Sequence, residues 1–133
     1  MRPSQRGFRQ YVPGDRILVV DDDDSIRQIV RLCLAEEGYS VRDAPNGEVA
    51  LEVLAEWDPE LILLDLRMPI MDGWEFARRY RLTSGPHVPI VAFVAALNAA
   101  QECKDLEVAA ILSKPFDLED LLTAVRTQLP LAT

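Results

Sequence analysis

From Arg16 onward, short apolar runs alternate with amphipathic stretches. Ile17-Leu18-Val19-Val20 is an uninterrupted aliphatic run ending in acid, the pattern of a strand covered on both faces. Between Ser25 and Glu37, Ile26, Ile29, Val30 and Leu34 recur at helical spacing, and Gly38 suits the left-handed residue that closes such a helix. Tyr39 to Asp43 predicts a second strand. Asn46-Gly47 opens a second helix with Val49, Ala50, Val53 and Leu54 on its apolar face. After Pro59, Leu61-Ile62-Leu63-Leu64 is the most apolar run of the chain and again ends in acid, at Asp65. A loop over Met68 to Gly73 follows, with Asp72 as the cap of a helix through Leu82. Pro89 precedes a fourth strand, Ile90 to Val94, and a weaker helix is predicted from about Leu97 to Leu106. Ala109 to Leu112 reads as the fifth strand, and Asp117 caps a last helix through Gln128, stopped by Pro130.

Strand and helix alternating five times predict an α/β domain, a parallel sheet with helices on both faces. Ligands of such sheets gather outside the carboxyl ends of the strands. Those ends hold Asp21 and Asp22 after the first strand, Asp65 after the third, Val94 ending the fourth and Lys114 after the fifth. Three acids and one lysine are expected to converge on one crevice. Clustered carboxylates resist ionising together, and a divalent cation removes that difficulty. Oxygen-only ligands with room for water suit Mg²⁺, which accepts a phosphate oxygen as a further ligand. One carboxylate can then attack phosphorus while metal and lysine stabilise the equatorial oxygens. The predicted chemistry is phosphoryl transfer.

Composition narrows this reading without redirecting it. The 133 residues make one domain, 49% apolar and 27% charged. No apolar run approaches the roughly 18 residues of a membrane span, and the N-terminus leads into no signal-peptide stretch, so a cytoplasmic location and no membrane partner are expected. Cys33 and Cys103 fall on different predicted helices with no CxxC motif, which argues against a disulfide or zinc framework. His87, the only histidine, stands in the turn-rich Ser84-Gly85-Pro86-His87-Val88-Pro89 and reads as a loop residue, leaving no material for histidine metal sites or Ser/His/Asp triads. Residues 1–16 carry four arginines against Asp15 alone, a net of +3, so the total of −8 leaves −11 on the remaining 117 residues. An acidic body repels a phosphate backbone, and no direct nucleic-acid binding is expected. Residues 1–15 are read as a flexible basic extension, solvated or alternatively a docking arm, 16–129 as the domain, and 130–133 as a tail.

Three stretches carry a family resemblance: Val19-Val20-Asp21-Asp22-Asp23-Asp24-Ser25-Ile26-Arg27, Leu64-Asp65-Leu66-Arg67-Met68-Pro69-Ile70-Met71-Asp72-Gly73 and Leu112-Ser113-Lys114-Pro115-Phe116. In order, spacing and position at strand ends they resemble the signature blocks of response regulator receiver domains of two-component signal transduction, from about Arg16 to Gln128. The resemblance implies a flavodoxin-like (βα)5 doubly wound parallel sheet of strand order 2-1-3-4-5. It implies Asp65 as phosphoacceptor, Asp22 as direct metal ligand, Asp21 as the acid holding the metal through water, Arg67 as donor of a backbone carbonyl to the metal, and Lys114 as partner of the phosphoryl group. The cofactor implied is Mg²⁺, with Mn²⁺ as a possible substitute. The implied donors are a sensor histidine kinase, a histidine phosphotransfer protein or a small phosphodonor such as acetyl phosphate. Such a domain is no enzyme toward outside substrates and catalyses only its own phosphorylation and dephosphorylation. Its output passes by protein contact over the face of helix four, strand five and helix five. With no effector domain after Thr133, output is expected to run through a separate partner, unless the chain is a piece of a longer one.

The remaining residues of these blocks have plainer readings. Asp23 and Asp24 are read as a solvated helix start favoured by the helix dipole, Asp72-Gly73 as turn and cap, and Trp74 and Phe116 as packing. Three positions depart from the family. Thr or Ser usually ends strand four, where its hydroxyl bonds a phosphoryl oxygen; here Pro89-Ile90-Val91-Ala92-Phe93-Val94-Ala95 places Val94 there. A charge-assisted bond worth roughly 1.5–3 kcal/mol is thereby lost. Three residues before Lys114, Ile111 stands where Tyr or Phe usually acts as a rotating switch, and Glu107 replaces a Gly common before strand five. These departures favour an alternative, a phosphorylation-independent, atypical receiver acting as a constitutive adaptor. A Mg²⁺-dependent phosphohydrolase is disfavoured because Arg67 stands where its second Asp would be, and a calcium loop beginning at Asp21 fails because Ile26 occupies its glycine position.

Overall fold

Leu61-Ile62-Leu63-Leu64-Asp65 is buried at every position, and four of the five residues of Arg16–Val20 are buried as well, because helices cover both faces of the sheet they form. The computed structural model describes residues 15–129; the predicted tail and all of the predicted extension except Asp15 lie outside the described residues. The elements run β1 (Arg16–Val20), α1 (Asp24–Glu36), β2 (Ser40–Ala44), α2 (Gly47–Leu54), β3 (Leu61–Asp65), α3 (Gly73–Leu82), β4 (Ile90–Ala95), α4 (Ala99–Glu102), β5 (Ala110–Lys114) and α5 (Leu118–Gln128), with a single 3-10 turn at Ala96–Asn98 before α4. All strand pairs are parallel and the order is β2-β1-β3-β4-β5, the flavodoxin-like arrangement. Among the described residues no helix is long and apolar enough to cross a membrane.

Alternation along the strands divides the core in two. On one face Leu18, Val20, Ile62, Leu64, Ala92 and Val94 pack with Ala50 of α2 and Phe76, Ala77 and Tyr80 of α3. On the other, Ile17, Val19, Leu61, Leu63, Val91 and Phe93 pack with Val30 and Leu34 of α1 and Leu121 and Val125 of α5. Each large side chain buried in this way contributes roughly 1.5–3 kcal/mol. Four helices are opened by a side chain that accepts a backbone N–H at their first turn: Asp23, Asn46, Asp72 and Asp117. Such caps are each worth about 1 kcal/mol. Gly38 closes α1 with φ 98°, which an L side chain adopts only at a cost.

Two boundaries shift in a way that matters for the site. β3 and β5 extend to Asp65 and Lys114, so both charged groups are anchored in the sheet. The predicted helix from Leu97 to Leu106 is a 3-10 turn followed by a four-residue helix, Ala99–Glu102. Ala99, Cys103 and Leu106 do pack on the core at helical spacing. However, Trp74 Nε1–H donates to the Glu102 carbonyl at 2.8 Å, and the Leu106 N–H, which a continuing helix would give to that carbonyl, turns to Cys103 instead at 3.0 Å. The indole ends the helix.

Candidate metal and phosphoryl site

The crevice at the carboxyl end of the sheet is built from the residues that follow β1 and from the last residues of β3, β4 and β5. The Asp21 N–H donates to the Ala44 carbonyl at 3.1 Å, extending the β1–β2 pairing past the strand and fixing the acid in place. Its side chain is fully buried; Oδ1 accepts the Asp23 N–H at 2.9 Å, and Oδ2 accepts Lys114 Nζ at 3.3 Å. Asp22, the next residue, is exposed at the mouth. Asp65 is 7% exposed, and its Oδ1 lies 3.4 Å from Lys114 Nζ. One carboxylate oxygen from each of Asp21, Asp22 and Asp65 lies within 4.8 Å of the other two, the one group of metal-capable acids among the described residues. The peptide bond after Lys114 is cis.

Close approach of backbone shapes the floor. Gly73 N–H donates to the Leu66 carbonyl at 2.8 Å, and a Cβ on Gly73 would meet the Asp65 carbonyl at 2.6 Å and Leu66 Cα at 2.7 Å. Only glycine permits α3 to start this close to the end of β3.

Burial pushes the Asp65 carboxyl up to about 6, with the negative charge of Asp21 adding to the effect and Lys114 opposing it. Burial also works against the charge of Lys114, but Asp21 and Asp65 outweigh it and hold its pKa above the usual lysine value. Three carboxylates against one ammonium leave negative charge that a divalent cation would balance. An all-oxygen donor set, part buried and part open to water, fits a hard ion such as Mg²⁺.

The residues at the family's switch positions stand as follows. Val94 is 2% exposed, lines the crevice and pairs in register with Ser113; it presents methyl groups and no donor. Ile111 lies beside Ala92 in register and is 42% exposed, without an aromatic ring to contact the crevice. Glu107 turns outward and pairs with Arg81 of α3 at 3.4 Å. Thr83 and Ser84 line a different cleft of about 760 Å³ together with Arg16 and Tyr80, far along the strands from the acids. His87 is exposed and packs on Tyr80, its Nε2 at 2.9 Å from the Thr83 carbonyl oxygen.

Two participants are not apparent from the sequence. Arg27, one turn into α1, donates to the Asp21 carbonyl at 2.8 Å and to the carboxylates of Asp43 at 2.9 Å and Asp24 at 2.6 Å, pinning the acidic loop to β2. Asp23 and Asp24, read as a solvated helix start, therefore cap α1 and hold Arg27. The other is Glu102 at the end of α4, which lines the crevice of about 390 Å³ with the acids and Lys114. Its side chain is 9% exposed and accepts from Arg67 Nη2 at 2.5 Å and Nε at 3.1 Å. The Arg67 guanidinium lies 5.2 Å from the ring of Trp74. The helical spacing around Leu97 to Leu106 offers no signal that Glu102 faces the acids.

A parallel five-stranded sheet with three acids and a lysine at its carboxyl edge defines the class of fold and site. Comparison with known families gives the same answer: the model of the response regulator receiver domain matches residues 17–126. The chain belongs to the response regulator receiver domain family of two-component signalling. It is 40% identical to the response regulator MprA of Mycolicibacterium vanbaalenii over 116 residues, 86% of this chain and 50% of that protein. The chain thus spans about half the length of the mycobacterial regulators it matches. It is 36% identical to sporulation initiation phosphotransferase F of Bacillus subtilis over 119 residues, 89% of this chain and 96% of that one. Among solved structures, chemotaxis response regulator CheY4 of Vibrio cholerae aligns with a TM-score of 0.79 at 34% identity, covering 86% of this chain and 98% of that one. The receiver domain of sensor histidine kinase PA1611 from Pseudomonas aeruginosa, which has a magnesium ion coordinated in its active-site cleft, aligns with a TM-score of 0.78 at 30% identity, covering 86% and 97%. Proteins of this family are signalling domains rather than enzymes of metabolism.

Proposed function

We propose that this chain accepts a phosphoryl group on Asp65 in a Mg²⁺-dependent reaction and passes the signal on by contact with another protein. The observation that carries the reading is the meeting of Asp65, Asp21, Asp22 and Lys114 in one crevice. Near neutral pH the Asp65 carboxylate is ionised, and one of its oxygens attacks the phosphorus of the donor. The new O–P bond forms as the donor's P–N or P–O bond breaks, with the bonding pair leaving on the donor. Lys114, 3.4 Å from Asp65, meets the charge of the transferred group. Asp22 and Asp65 would hold Mg²⁺ directly, Asp21 through water, and Arg67 through its backbone carbonyl; the ion would supply neutralisation of the equatorial oxygens. Attack of water on phosphorus reverses the state, releasing phosphate and restoring the carboxylate. With Arg67 two residues after Asp65, no second acid stands ready to serve an outside substrate.

The donor is a sensor histidine kinase or a histidine phosphotransfer protein, a reading supported by similarity to a sporulation phosphotransferase and to a kinase's receiver domain. The downstream partner binds over α4 with the 3-10 turn before it, β5 and α5, where Leu97, Ile111 and Leu118 are 91%, 42% and 45% exposed. Incubation with acetyl phosphate and Mg²⁺, read by intact mass, tests the acceptor: a gain of one phosphoryl group that Asp65→Asn abolishes is the expected result, and no gain overturns it. A second reading, a constitutive adaptor that works unphosphorylated, is favoured by the buried, donorless Val94 and by Ile111. Partner binding that is equal with and without acetyl phosphate would select it.

A further inference from the structure

Among the side chains that line the crevice, the two with N–H donors are Lys114 and Arg67. Val94 contributes none where the family has a hydroxyl. Lys114 is shared between Asp21 and Asp65. Arg67 is committed to Glu102, but its side chain is 72% exposed and therefore free to turn, while that of Glu102 is 9% exposed and is not. Arg67 also stands two residues after Asp65, at the same end of β3 and on the same crevice. These contacts join the acceptor loop to α4 through one cation.

Resting on the reading of Asp65 as acceptor, we propose that Arg67 is the phosphoryl-sensing group of this chain and that Arg67 and Glu102 form a latch. In the unmodified protein the guanidinium holds Glu102 and so fixes the end of α4 against the loop that follows β3. Once Asp65 carries a phosphoryl group, Arg67 exchanges the carboxylate for the phosphoryl oxygens, which offer more charge and a matching bidentate geometry. Glu102 is then a nearly buried carboxylate without its cation, beside a new anion, and it must move outward. α4 shifts with it, because Glu102 is the last residue of this single turn, and the Trp74 indole bonded to the Glu102 carbonyl feels the shift. The latch links occupancy of the crevice to the face beside Ile111 by an ion-pair exchange, a route that needs neither a hydroxyl at 94 nor a ring at 111.

Trp74 reports on the latch directly, since it touches both partners. In a Trp57→Phe background, Trp74 is the single tryptophan. Its emission is recorded with Mg²⁺ alone and then with acetyl phosphate, with phosphoryl uptake followed on the same samples by intact mass. The expected result is an emission change that tracks the mass gain. Glu102→Gln shows most of that change before any phosphodonor is added and, once acetyl phosphate is supplied, takes up phosphoryl at least threefold faster, because its Arg67 is released. Arg67→Ala still gains the mass, more slowly, and its emission no longer responds, while Arg67→Lys recovers part of the response. If the parent gains the mass while Trp74 emission stays constant, or Arg67→Ala responds as the parent does, the latch is overturned and the reading of Asp65 stands. If the parent gains no mass, both fall.

Discussion

Lys114 Nζ lies 3.4 Å from Oδ1 of Asp65, although the two residues belong to strands that are not neighbours. β4 runs between them, with Phe93 beside Asp65 and Ala95 beside Lys114 in register. The lysine therefore reaches back across the end of β4, past Val94, to meet the acid. This bridge sets the charge of the pocket before any ligand arrives.

Removing the bridge leaves Asp21 and Asp65 facing each other without a cation. Lys114→Ala is expected to lower phosphoryl uptake from acetyl phosphate at least tenfold. It should also destabilise the metal-free protein at pH 7 by about 1–3 kcal/mol, the cost of leaving a buried polar group without its partner. Intact mass over time and urea denaturation measure the two effects.

The pH dependence of stability follows from Asp65. Its carboxyl, ordinarily at 3.8, is held at about 6 in the fold. Between those values the native state binds more protons than the unfolded chain, so stability of the metal-free protein falls as pH rises through the window and the penalty is complete above it. Asp65→Asn is expected to raise stability at pH 7 by about 1–3 kcal/mol, an advantage that disappears below about pH 4, where the wild-type carboxyl is neutral in both states. Denaturation curves at the two pH values check the sign.

Mg²⁺ should act in the opposite direction, stabilising the wild-type protein because the ion binds the gathered carboxylates of the native state. At 100 times its dissociation constant the gain is about 2.7 kcal/mol. Thermal melts with Mg²⁺, and again after a chelator, should show a rise in Tm that the chelator reverses and that Asp22→Ala removes.

Val94→Thr carries two effects of opposite sign. In the unmodified protein a hydroxyl at a site 2% exposed needs a partner, and its lack costs about 1–2 kcal/mol of stability. In the phosphorylated protein the hydroxyl bonds a phosphoryl oxygen, and a bond of roughly 1.5–3 kcal/mol corresponds to about tenfold or more in the population or lifetime of that state. A variant that melts lower yet holds its phosphoryl group no longer than the parent would remove the argument that Val94 weakens the switch.

The strands and the acids were legible in the sequence because their signals are local. An aliphatic run ending in aspartate states both the buried strand and the group at its tip, and Asp21, Asp65 and Lys114 each end or follow such a run. Glu102 and Arg27 were not legible in their roles, which depend on contacts across 35 and 16 positions of sequence. α4 misled for a related reason. Ala99, Cys103 and Leu106 keep helical spacing, but the helix is ended by an indole from α3, and periodicity has no access to a competitor for a carbonyl.

That indole also bears on selectivity. On the reading proposed above, a partner recognising this chain meets a single helical turn and an irregular stretch where a longer helix would offer an extended ridge. A binder shaped for such a ridge would lose contact area on this surface. If the partner docks there, the short α4 would discriminate among binders by the shape of the face, whatever the state of the acid crevice beneath it.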